Sequence, residues 1–114
     1  MKVTSSDHDG VVVLYVKGRI RGPEEAECLD DKLYAVIGRG CNKAVVDLGT
    51  CDWISSAGIR TLIHHYNSFK KHYGELKIAN LTKKIEKIIT ITRLAQVFDV
   101  YETKEEALRS FGYS

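Results

Sequence analysis

The stretch that decides the fold is Val45-Val46-Asp47-Leu48-Gly49-Thr50-Cys51-Asp52-Trp53-Ile54-Ser55-Ser56-Ala57-Gly58-Ile59-Arg60-Thr61-Leu62. Its apolar start, with Ala44 in front, reads as a strand over 44–48 that is buried on both faces. The polar residues after Leu48 read as a short loop. Two serines and two small residues then open an amphipathic helix on which Ile59, Leu62, Ile63, Tyr66, Phe69 and Tyr73 share one face, opposite Arg60, His64, Asn67 and Lys71. Gly74 closes it. Ser55 or Ser56 can cap the helix by accepting a backbone N–H, while Ala57 and Gly58 permit close packing. The same position suits an added phosphate, which free N–H groups at a helix start and a guanidinium one turn on, Arg60, would stabilise.

Working outward, residues 3–6 and 11–19 are extended and flank the turn-forming cluster Asp7-His8-Asp9-Gly10, which predicts an N-terminal β-hairpin. Ala26, Leu29, Leu33, Val36 and Ile37 recur at steps of three and four, with Pro23 suited to the first turn and Gly38 to the end. On the C-terminal side, 76–81 is a strand, 83–94 a helix started by Thr82, and 98–101 a short last strand. Thr103-Lys104-Glu105-Glu106 forms a capping box that starts a final helix running through Phe111. The order β-β-α-β-α-β-α-β-α predicts an α/β fold with a mostly parallel central sheet of about five strands, antiparallel only at the hairpin.

Composition narrows the function. The chain has 114 residues, 44% hydrophobic and 28% charged, which is the make-up of one globular domain over 1–114. Seventeen basic against fifteen acidic residues give a net charge of +2, without the basic stripe of a nucleic-acid binder. The longest apolar run, Val11 to Val16, is far below the roughly 20 residues of a membrane span, so no membrane insertion is expected. The N-terminus lacks the apolar stretch of a secretory signal, and three cysteines, Cys28, Cys41 and Cys51, form no paired framework. A cytoplasmic protein with reduced, mostly buried thiols is the expectation.

Enzyme patterns fail on spacing. Gly38-Arg39-Gly40 follows a helix instead of a strand, so it is no dinucleotide loop, and no P-loop is present. Ser68-Phe69-Lys70-Lys71 falls mid-helix without partner motifs, and neither Ser55 nor Ser56 stands in a G-x-S-x-G elbow. His64 and His65 read as solvated surface residues, and His64, His65 and His72 lack the i, i+4 spacing of a metal pair. No catalytic residue, metal or cofactor is expected.

At Val46-Asp47-Leu48-Gly49 and Ile54-Ser55-Ser56-Ala57-Gly58-Ile59 the chain resembles STAS domains of the anti-sigma factor antagonist type, also called anti-anti-sigma factors. Their hallmark is a hydrophobic strand ending D-L-(S/G), then I-S-S-A-G-L at the start of the second helix. Leu94, Phe98, Val100, Tyr101 and Glu105-Glu106-Ala107-Leu108 are similar to the family's closing strand and helix. The resemblance implies a single STAS domain in a bacterial, non-enzymatic regulator. It further implies a partner switch: the unphosphorylated form binds an anti-sigma factor with serine kinase activity and releases a sigma factor. Phosphorylation ends binding, and a metal-dependent serine phosphatase resets the protein. The motif puts the acceptor at Ser56, with Ser55 a second candidate because it stands where the family often has an acid. Partner-binding residues would be Arg21, Gly22, Pro23, Asp52, Trp53, Ser55, Ser56, Ala57, Gly58 and Arg60. Trp53 is an interface anchor if exposed and core if buried. Gly18-Arg19-Ile20-Arg21 replaces the family's G-x-L-D, so Arg21 stands in place of an acid. The alternative is a non-switching structural STAS subunit of a signalling scaffold or lipid-transport complex. A monomer or weak dimer fits either reading.

Overall fold

Asp9 and Gly10 both have positive φ, 49° and 89°, the backbone of a two-residue hairpin turn whose twist matches its flanking strands. They join β1 (Lys2–His8) to β2 (Val11–Ile20), paired antiparallel with His8 opposite Val11. The turn is thus tighter than the four-residue cluster suggests. The computed structural model describes residues 1–112. From β2 the chain runs through α1 (Pro23–Gly38), β3 (Lys43–Ile54), α2 (Ser56–Lys71), β4 (Glu75–Ala79), α3 (Lys83–Ile91), β5 (Asp99–Tyr101) and α4 (Lys104–Ser110). The five-stranded sheet has the order β1-β2-β3-β4-β5, and every pairing after the hairpin is parallel. The α/β expectation therefore holds.

Side chains alternate across the sheet, and the two faces are covered differently. Val12, Leu14, Val16, Val46, Leu48 and Ile78 meet Leu29, Leu33 and Val36 of α1, Leu62 and Phe69 of α2, and Ile85 and Ile89 of α3 in the main core. On the other face Val11, Val13, Val45 and Ala79 pack with Ala107 and Leu108 of α4. Burying a side chain such as Leu or Val contributes roughly 1.5–3 kcal/mol, so the three-helix face anchors the sheet. Among the described residues no helix is long and apolar enough to cross a membrane.

Several expectations are corrected. The third helix stops at Ile91 instead of 94: Arg93 turns left-handed at φ 61° and Leu94–Gln96 form a single 3-10 turn. Tyr73 does not extend the apolar face of α2, because that helix ends at Lys71 and Tyr73, at φ 60°, points out with 96% exposure. Of the three thiols only Cys51 is buried, whereas Cys28 and Cys41 are half-buried. The largest difference is at 49–54, where strand replaces the expected loop.

Candidate functional site

Past Leu48 the chain stays extended and pairs with β2, bringing Thr50 opposite Lys17, Cys51 opposite Gly18, Trp53 opposite Arg19 and Ile54 opposite Ile20. Asp47 prepares this run. Its buried carboxylate accepts from the Gly49 N–H at 2.8 Å and from Asn80 Nδ2 at 3.1 Å, so the aspartate of the D-L-G pattern is a brace between β3 and the end of β4. A Cβ at Gly49 would collide with the Asn80 amide. The sequence reading assigned Asp47 no role in the site. Its signal was a lone acid inside an apolar strand, which is rarely buried without partners.

The pairing extends one residue beyond the strands: the Ser55 N–H donates to the Ile20 carbonyl at 2.8 Å. The approach to α1 and the start of α2 are thereby held side by side. On the first, Gly22 caps α1 and Pro23 takes its first position, while the Glu25 carboxylate accepts from the Arg21 and Gly22 N–H groups at 3.1 and 3.2 Å. On the second, Ser55 is the cap, its Oγ accepting from the Gly58 N–H at 3.3 Å. Ser56 is the first helical residue, is exposed, and its hydroxyl makes no hydrogen bond among the described residues. The choice between the serines as cap is resolved: Ser55 does it.

Gly58 is buried beneath these residues. A Cβ there would come within 2.6 Å of Ile20 Cγ2 and 2.8 Å of Ile54 Cγ1, so glycine lets α2 sit down on the ends of β2 and β3. Ala57 is half-buried and lines a shallow groove between α1 and α2 with Pro23, Ala26 and Arg60. Trp53 is 47% exposed, which decides between its two readings: it is not core. Asp52 pairs with Arg19 at 3.3 Å, whereas the exposed Arg21 and Arg60 have no carboxylate partner among the described residues. Arg21, Gly22, Pro23, Asp52, Trp53, Ser55, Ser56, Ala57 and Arg60 thus gather at one end of the sheet, with Gly58 supporting them from inside.

His65 departs from expectation. Of the adjacent pair His64 is exposed, but His65 is fully buried between α1 and α2, its Nε2 2.6 Å from the Asp30 carboxylate. The ring of Tyr34 meets it edge-on at 4.7 Å, and its Nδ1 has no hydrogen-bond partner among the described residues. Burial pushes the imidazole below its ordinary range, and Asp30 opposes that shift.

An α/β sheet of this order, with a braced D-L-G stretch in β3 and two serines at the start of α2, defines a STAS domain. The STAS domain model matches residues 2–107, and the chain belongs to that family. It is 30% identical over 111 residues to BtrV of Bordetella bronchiseptica, named as an anti-sigma factor antagonist, covering 97% of this chain and 95% of the relative. An anti-sigma factor antagonist from Mycobacterium paratuberculosis superposes with a TM-score of 0.85 at 27% identity, over 96% of this chain and 92% of the other. The Bacillus cell fate determinant SpoIIAA shares the fold at 15% identity. Its unphosphorylated and phosphorylated forms give TM-scores of 0.73 and 0.74, over 96% of this chain and 97% and 99% of theirs. Within the family the chain is of the anti-sigma factor antagonist type.

Proposed function

We propose that the protein is a phosphorylation-controlled partner switch. Unphosphorylated, it binds an anti-sigma factor that is also a serine kinase, and a sigma factor is released. Phosphate on Ser56 ends that binding, and a metal-dependent serine phosphatase restores it. The observation that carries this reading is the unequal use of the two serines. Ser55 Oγ is committed to the Gly58 N–H, whereas Ser56 Oγ is exposed and unengaged among the described residues, so another protein's active site can take it without dismantling the helix cap. The solution of SpoIIAA with and without its phosphate supports the idea that this fold tolerates the modification.

The energetics suit a switch. A hundredfold change in affinity needs about 2.7 kcal/mol. A group carrying nearly two negative charges, placed beside Trp53 and Asp52 in a packed interface, supplies that through desolvation and repulsion. Arg21, Gly22, Pro23, Asp52, Trp53, Ala57 and Arg60 form the contact surface around the acceptor. The work of the domain is to be bound or left unbound, and the chemistry belongs to its partners.

Mass spectrometry after incubation with the cognate kinase and ATP tests the assignment. One phosphate is expected, lost in Ser56→Ala and retained in Ser55→Ala; a phosphate on Ser55 or elsewhere overturns it. If the phosphorylated protein still binds the anti-sigma factor, the non-switching subunit replaces the switch.

A further inference from the structure

The reading of Ser56 as acceptor raises the question of what the phosphate meets once it is there. The bond from the Ser55 N–H to the Ile20 carbonyl, 2.8 Å, ties together the residues preceding Ser56 and Arg21, so these two lie alongside one another at the ends of adjacent strands. On α2, Arg60 follows Ser56 by four residues, the spacing at which Cβ atoms are about 5–6 Å apart on one helix face. Ser56, Arg21 and Arg60 are all exposed, and neither of these arginines has a carboxylate partner among the described residues.

The neighbouring acids are engaged elsewhere or set back. Asp52 is paired with Arg19 at 3.3 Å. Glu25 accepts the Arg21 and Gly22 N–H groups. Asp30 is bonded to His65, and Glu27 lines the groove below Arg60 without an ion pair to it. Ser56 is therefore flanked by two exposed arginines without a carboxylate partner among the described residues, Arg21 on the neighbouring chain segment and Arg60 one turn along α2, and each guanidinium carries the planar donor fork that matches phosphate oxygens.

We infer that Arg21 and Arg60 form an intramolecular clamp for a phosphate on Ser56, so that the modified protein closes on its own phosphate. This rests on Ser56 being the acceptor and deepens the account of how the switch turns off. The phosphate does not only repel the partner. It also takes up the two arginines that the unmodified surface presents, one just past the end of β2 and one on the exposed face of α2.

The test uses the full chain with phosphoserine inserted at position 56 during translation and follows the phosphate by phosphorus NMR titration. The second ionisation of phosphoserine lies near pH 6, and two adjacent cations are expected to lower it by about half a unit or more relative to the same chain unfolded in urea. In the Arg21→Gln, Arg60→Gln double variant most of that shift is expected to disappear. The unphosphorylated double variant is expected to melt at the wild-type temperature, since both side chains are exposed and unpaired. Absence of a shift overturns the clamp. A shift that survives both substitutions assigns the effect to the α2 amides and overturns it equally. Because the phosphate is placed during translation, this titration stands apart from the kinase experiment: a kinase that ignores Ser56 defeats the switch and not the clamp.

Discussion

The two halves of β3 make opposite use of the same extended backbone. From Ala44 to Asp47 the strand is flanked by β2 and β4 and pairs with both; Ala44, Val45, Val46 and Leu48 are completely buried. Beyond Gly49 it pairs with β2 alone. On the side that β4 has left, the Thr82 hydroxyl donates to the Cys51 carbonyl at 2.9 Å in place of a ladder bond. Burial there becomes uneven, with Cys51 and Ile54 inside, Asp52 half-buried and Trp53 exposed. The first half is fixed by two neighbours and carries stability. The second is fixed by one neighbour and a hydroxyl, and it carries the residues that face outward. An outward-facing surface is in this way built on a strand whose other half stays in the core.

Substitutions separate the halves. Leu48→Ala removes a side chain with no exposure from the end of the first half and is expected to destabilise by about 2–5 kcal/mol in urea unfolding. A smaller loss would mean that the first half is not what carries stability. Gly58→Ala places a methyl group against Ile20 and Ile54 and is expected to cost about 1–3 kcal/mol in urea unfolding. Thr82→Val removes the bond to Cys51 and the cap that accepts the Ile85 N–H, for an expected loss of about 1–2 kcal/mol by thermal melting. Trp53→Ala is expected to change stability by less than about 0.5 kcal/mol while weakening anti-sigma factor binding by about 2 kcal/mol or more in calorimetry. Equal losses in both measurements would make Trp53 structural.

These halves also mark where the sequence was legible. Apolar runs and helical spacing, together with the turn cluster over 7–10 and the cap at Thr103, identified the strands and helices in order. The second half of β3 read as a loop because Gly49, Thr50 and Asp52 interrupt the apolar run and strict alternation fails. The physical cause is register: Tyr15 faces Asp47 but Lys17 faces Thr50, and Gly18 faces Cys51 but Arg19 faces Trp53. β3 therefore accommodates an extra residue at each shift, and each bulge rotates the side chains that follow. The serines were legible as a pair and not as individuals, since only the backbone at Ser55, at φ −83° and ψ 170°, decides which one caps. His65 was missed because it borders the apolar stripe of α2, and its partner Asp30 lies on another helix, 35 residues away.

That histidine makes the molecule sensitive to acid. Unfolded, its imidazole takes up a proton near its ordinary pKa of 6.5; folded, burial holds the value lower. Below 6.5 the unfolded chain therefore binds more protons than the native one, so stability is complete above that pH and drains away as the solution is acidified toward the depressed native value. Lowering the pH from about 7 to about 5.5 is expected to move the urea midpoint downward, and His65→Gln to flatten that dependence. The helices that would part are α1 and α2, whose first turns carry Pro23 and Ser56. A proton taken up deep between them is expected to work against the alignment of those two helix starts.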